Sequence, residues 1–148
     1  MESKPWRVFL DTSALIAGIL SATGAAREVL RLAEAGVIDL LVSRQVLTEA
    51  ERTLTSKVPA LLTDYHALLG SLSLEILEDP VPDAVAEAMG VIAHHDAPIL
   101  AVARHANVDY LISWNTRHFQ TVSVRAFVTF PVLTPGEFLR EFRRRLSS

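Results

Sequence analysis

Apolar and polar positions along this chain follow two rhythms, one of period two or less and one of helical spacing. Val8-Phe9-Leu10 is apolar without interruption, meets Asp11, Thr12 and Ser13, and gives way to a helical pattern opening near Ala14. A short run that is apolar on both faces suits a strand buried in a parallel sheet, with helices above and below. Ser21 to Gly24 has turn chemistry. Ala26, Val29, Leu30 and Ala33 then keep helical spacing over 25–35, and Gly36 stands where a C′ glycine closes a helix. Val37 to Val42 predicts a second strand, and Ser43 predicts the N-cap of a helix striped by Val46, Leu47, Ala50 and Leu54. Beyond it the pattern predicts a helix over 58–72 ending around Gly70, a strand over 74–77, a turn over 80–82 and a helix over 83–93. A helix over 97–106, a strand over 110–113, a last strand within 127–133 interrupted by Pro131, and a helix over 135–145 complete the series. Strands alternating with helices predict a single three-layer α/β/α domain over 1–148, with a parallel central sheet of about four to five strands.

Composition narrows this picture. At 148 residues the chain is long enough to bury a core without staples, and the absence of Cys removes disulfides, thiolate zinc sites and thiol nucleophiles. The stretch MESKPWRVFLD lacks the apolar core of a signal peptide, and no apolar run approaches the length of a bilayer, so a soluble cytoplasmic protein is expected. Hydrophobic residues make up 50% of the chain, which predicts an apolar surface covered by a partner, either a second copy in a homodimer or another protein. The net charge of −3 argues against coating nucleic acid by bulk electrostatics, yet leaves room for a local grip on a few phosphates. Arginine supplies nearly all the positive charge, Lys4 and Lys57 being the lysines, and guanidinium suits bidentate phosphate contacts. Arg143, Arg144 and Arg145 sit at the end of the last helix, where they complement its dipole. Neither a GxGxxG nor a GxxxxGK[ST] loop is present, so nothing points to a dinucleotide or P-loop site.

Candidate chemistry gathers at one rim. Asp11 follows the first strand, and in open α/β sheets ligands bind outside the carboxyl ends of the strands; the alternative is a helix cap. Asp96 opens the helix over 97–106 on its apolar side, and again a cap is the alternative, supported by Pro98 in the first turn. The strand Tyr110-Leu111-Ile112 delivers Ser113, Trp114 and Asn115 to the same rim, although Asn115 also suits a cap for the turn over 116–119. Glu49 and Glu51 flank opposite sides of their helix's apolar stripe, and periodicity does not choose between them. His94 and His95 point in different directions if helical and have no third nitrogen or sulfur ligand at suitable spacing, which favours structural or surface roles. Arg117 and His118, past the rim, are candidate phosphate contacts, as are Arg44 and Arg104. Trp114 could stack on a base, with burial against the sheet the safer expectation.

The segments VFLDTSALIAGILS, LLVSRQVLTEAERTL, HDAPILAVARHANVDYLISWN and VLTPGEFL together resemble a PIN domain, over Val8 to Leu139, with VapC-type toxin ribonucleases as the best-known relatives. The resemblance implies that Asp11, Glu49 and Asp96 are the catalytic, metal-holding acids, choosing Glu49 over Glu51. It implies supporting hydroxyls at Ser13 and Ser113, and a fourth catalytic position at Asn115, where many members have Asp. The departure removes one negative charge and weakens any second metal site. Three crowded carboxylates repel one another unless a cation sits between them, and an all-oxygen set suits Mg²⁺ or Mn²⁺. The implied activity is metal-dependent hydrolysis of single-stranded or looped RNA, without a covalent enzyme intermediate, by a toxin with an antitoxin partner. Two other classes stand beside it. Asn115 gives credit to a catalytically silent PIN-like domain that binds RNA or a partner protein. An aspartyl-phosphate chemistry at Asp11 is disfavoured, because Ser13 stands where a DxD pattern would put its second acid.

Overall fold

Five strands form one fully parallel sheet: β1 (Trp6–Leu10), β2 (Ile38–Ser43), β3 (Leu74–Leu77), β4 (Tyr110–Ile112) and β5 (Val132–Leu133), in the order β3-β2-β1-β4-β5. These positions come from a computed structural model that describes residues 4–147. Between and after the strands run α1 (Thr12–Leu20), α2 (Ala25–Glu34), α3 (Arg44–Lys57), α4 (Leu62–Ser71), α5 (Pro82–Ala88), α6 (Ala97–His105), α7 (Thr116–Phe119), α8 (Val122–Phe127) and α9 (Pro135–Leu146). The chain steps one way across the sheet from β1 to β3, then returns to lay β4 on the other side of β1. Because such crossovers are right-handed, the two directions of travel put α1 to α4 on one face and α5 and α6 on the other. The packing agrees: α1 lies against α2 and α3, α2 against α9, and α5 against α6. This is the α/β/α sandwich expected, with β1 and β4 at the point where strand order reverses.

Burial explains why the central strands read as unbroken apolar runs. Val8, Phe9, Leu40, Leu41, Leu111 and Ile112 are fully enclosed, so both faces of β1, β2 and β4 are covered. At the sheet edge, β3 keeps Glu75 and Ile76 exposed. Local signals set several helix ends. Ser43 caps α3 by accepting from Val46 N at 3.2 Å. Gly36, at φ +78°, closes α2 as the C′ residue of a Schellman turn, with Gly36 N to Ala33 O at 3.0 Å and Val37 N to Leu32 O at 3.1 Å. Thr134 and Glu137 form a capping box on α9. Arg144 and Arg145 both pair with Glu141 at the end of that helix.

Three expectations change. The helix over 58–72 is split: α3 runs on to Lys57, Pro59–Leu61 is a 3₁₀ turn, and α4 starts at Leu62, since Pro59 has no N–H with which to continue α3. The helix over 83–93 stops at Ala88, just ahead of Gly90. The last strand is only Val132–Leu133, because the residues before Pro131 belong partly to α8, capped by Thr121. Among the described residues, no single helix is long and apolar enough to cross a membrane.

Close helix packing imposes a size limit at Gly18, where a Cβ would stand 2.6 Å from Leu30 Cδ1, whereas one at Gly70 would meet nothing within 4 Å. Gly18→Val is expected to destabilise by about 1–3 kcal/mol through overpacking of α1 on α2. Gly70→Ala is expected to be neutral or to stabilise by up to about 1 kcal/mol. Urea denaturation of the two variants beside the parent checks both signs.

Candidate functional site

Asp11 leaves the carboxyl end of β1 and at once begins α1, so one side chain serves two structures. Its Oδ1 accepts from Ala14 N at 2.9 Å and from the Ser13 hydroxyl at 2.8 Å, and its Oδ2 accepts from the Ser113 hydroxyl. The backbone N–H of Asp11 donates to Ile112 O at 3.1 Å, which ties the end of β1 to β4. Rim acid and helix cap, set as alternatives by sequence, are therefore both realised. Ser13 and Ser113 act in parallel. Each donates to one Asp11 oxygen and accepts a backbone N–H from the loop after β4, Trp114 N to Ser13 at 3.0 Å and Asn115 N to Ser113 at 2.9 Å.

Asp11 is 3% exposed, and burial drives its carboxyl up from 3.8 to about 6. The hydrogen bonds from Ser113, Ala14 and Ser13 oppose that rise, and the nearby charge of Asp96 adds to it. Asp96 is also buried, at the N-cap of α6, yet its side chain caps nothing. Its Oδ2 is enclosed and accepts no hydrogen bond, although His95 Nε2 and His118 Nδ1 each lie 3.3 Å away. Proximity and bonding disagree here, and the absence of a hydrogen bond carries more weight: neither ring presents a proton along a usable line.

Glu49 reaches the same rim from α3. Its Oε1 accepts from the Thr12 hydroxyl at 2.6 Å and its Oε2 from Gln45 Nε2 at 3.2 Å. Gln45 also donates to His95 O at 3.3 Å, tying α3 to the turn that carries Asp96. Glu51 is exposed on a different side of α3. Glu49 lines a groove of about 570 Å³ together with Gln45, Arg44, Arg52 and Pro98.

Asn115 does not cap α7 with its side chain; its Nδ2 stands 3.0 Å from His118 Nδ1. The rim thus brings together Asp11, Ser13, Asp96, Ser113, Asn115 and His118, with Glu49 tied to its border through Thr12 and Gln45; among the described residues the ligand atoms of Asp11, Glu49 and Asp96 do not all lie within 4.8 Å of one another. Arg117 is exposed on α7, with no hydrogen bond or ion pair to this cluster among the described residues. Arg44 is held by Glu78 at 2.7 Å and Arg104 by Glu87 at 2.8 Å. Trp114 is 48% exposed rather than packed against the sheet, because the chain turns outward after Ser113. His94 and His95 lie in a turn, not a helix, and the third ligand that spacing failed to find for His95 comes from Asp96 and His118. Sequence reasoning also assigned no role to Thr12 and Gln45. The signal for Gln45 was its spacing, four residues before Glu49 on one helix face.

The family model described as PIN domain matches residues 7–117. The chain belongs to the PIN-domain family. Among curated protein sequences none is a significant match. Solved structures share this PIN fold. PAE2754 from Pyrobaculum aerophilum superposes with a TM-score of 0.62 at 19% identity, covering 91% of this chain and 88% of that one. VapBC2 from Rickettsia felis, bound to a DNA fragment from its promoter, gives 0.64 at 18%, covering 86% and 96%. VapC20 from Mycobacterium tuberculosis, a toxin that cleaves the sarcin-ricin loop, gives 0.54 at 18%, covering 74% and 90%. At these identities the likeness is one of fold.

The rim of this PIN domain fits a divalent cation on its own evidence: two buried acids within electrostatic reach of each other, one driven towards protonation and the other with an enclosed oxygen that accepts no hydrogen bond. Without a cation the sign of the pH effect follows. Asp11 holds its proton in the fold to about 6, but the unfolded chain releases it near 3.8. Stability is therefore lost across that window as pH rises, by up to about 3 kcal/mol. In chelator-treated protein, Asp11→Asn is expected to gain on the parent between pH 4 and 6 and to keep a constant lead above. Thermal melts showing a pH-independent difference would refute this origin.

Proposed function

We propose that this PIN domain is a metal-dependent endoribonuclease that hydrolyses RNA phosphodiester bonds as the toxin of a toxin-antitoxin pair. The observation that carries the reading is the buried pair Asp11 and Asp96 at the strand-order reversal, with one carboxylate oxygen left without a hydrogen-bond donor. Asp11, Asp96 and Glu49 would hold Mg²⁺ or Mn²⁺. Such an ion polarises a phosphate and lowers the pKa of a bound water.

The chain's own residues supply the rest. Ser13 and Ser113 fix both oxygens of Asp11 from opposite sides, so the carboxylate is oriented before any substrate arrives. Thr12 and Gln45 do the same for Glu49, whose remaining lone pairs are free to accept a proton from a water in the groove. Arg52 lines that groove beside Glu49 and places positive charge where a phosphate backbone would run, while Arg44 at the same groove is paired with Glu78. The exposed face of Trp114 offers a surface for an unstacked base.

Support for a cleaving toxin with an antitoxin comes from the fold relatives: VapC20 is a sarcin-ricin loop cleaving toxin, and the Rickettsia structure is VapBC2 on promoter DNA. An antitoxin would cover the groove, and a second copy of the chain would cover exposed apolar side chains such as Leu20 and Val122. Such a toxin would meet its RNA in the cytoplasm. One observation favours a silent RNA-binding domain instead: the Asn115 amide turns to His118 and adds no negative charge to the rim.

Purified protein incubated with single-stranded RNA and Mg²⁺ or Mn²⁺ decides between them. Cleavage is expected, reduced by at least about 100-fold in Asp11→Asn and Asp96→Asn and abolished by chelation. RNA retained but uncut by the parent would establish the silent domain.

A further inference from the structure

His95 Nε2, Asp96 Oδ2 and His118 Nδ1 lie within 4.8 Å of one another, the kind of grouping that three ligands of one ion adopt. Both ring nitrogens stand 3.3 Å from the carboxylate oxygen. Two ligands on a metal with bonds of roughly 2.1 Å are separated by about 3.0 Å at an octahedral angle and about 3.4 Å at a tetrahedral one. The contacts fall between the two. Asn115 Nδ2 stands 3.0 Å from His118 Nδ1, so in the metal-free protein the amide occupies that nitrogen's lone pair and an incoming ion takes its place. The Asp96 oxygen between the two rings is enclosed and has no hydrogen bond. A cation held there satisfies the oxygen.

We infer that His95, Asp96 and His118 form a mixed nitrogen–oxygen metal site that takes a borderline transition-metal ion, with Zn²⁺ as its probe, in preference to Mg²⁺. Imidazole is a poor ligand for Mg²⁺ and a good one for Zn²⁺, Co²⁺ and Ni²⁺. Three protein ligands leave a position open for water or a phosphate oxygen. His95 is the outer ligand, with its side chain 69% exposed, and it enters from a turn that Gln45 anchors to α3 through the His95 carbonyl. The site shares Asp96 with the acidic rim, so an ion held by the histidines draws on the same carboxylate that an all-oxygen Mg²⁺ site needs. The inference goes beyond the nuclease reading and stands whether or not RNA is cut.

Isothermal titration of the metal-free full chain tests it. Zn²⁺ is expected to bind one site, with affinity falling by about tenfold or more in His95→Ala and in His118→Ala, while Mg²⁺ affinity is unchanged by either. Loading with Co²⁺ gives a second reading: its visible absorption should change in both histidine variants. His95 lies outside the core, so His95→Ala keeps the test open if His118→Ala does not fold; His118→Gln then reports on the second ring. Zn²⁺ binding and Co²⁺ spectra indifferent to both histidines would overturn the site. Loss of RNA cleavage in the parent with Mg²⁺ or Mn²⁺ would sink the nuclease reading alone, leaving the Zn²⁺ result to stand.

Discussion

Everything at the rim depends on how the Asp11 carboxylate is held. Three donors from three places converge on it: the first turn of α1, the side chain two residues on, and the end of β4. They fix its position without neutralising its charge, and burial makes that charge costly. A capping role alone would have been met by an exposed carboxylate at far less cost. Placing the acid between two central strands instead creates a demand for positive charge, and among the described residues no basic side chain pairs with Asp11 to meet it.

The remaining polar groups are arranged around that demand. Reversal of strand order opens the crevice between β1 and β4, and the segments leaving β1, β2 and β4 each carry polar residues to it. The opposite end of the sheet is closed by its own polar links. Arg7 reaches across to Glu75 at 2.8 Å and to Ala106 O at 3.0 Å, and its backbone N–H donates to Asp109 at 2.7 Å. One end of the molecule is locked by satisfied pairs. The other is held open by groups whose bonding is incomplete, the usual division between scaffold and site.

How much of this was legible in the residues depended on range. Strand β1, the Ser43 cap and the Gly36 turn were readable because their physics is local. The separation of α3 from the helix over 58–72 was read, but the 3₁₀ turn at Pro59–Leu61 was missed because apolar spacing continues through Pro59, and α8 because six residues are too few to show a period. For the site, Asp11 and Asp96 could be placed at strand or helix ends, but their burial could not be known. Periodicity left Glu49 and Glu51 open, the family resemblance chose Glu49, and the contact that holds Glu49 comes from Thr12, thirty-seven positions away. His95 was dismissed because ligand spacing was sought along the chain, and the partners that matter are an adjacent acid and a ring from beyond β4.

Ser113 stands 102 positions after Asp11, and only its hydroxyl completes the cradle around that acid. A chain that has emerged only as far as β3 therefore has neither the second hydroxyl nor the sheet partner that encloses the first acid. The rim acid thus gains its oriented, enclosed state only once β4 has joined the sheet, so site and fold mature in one step.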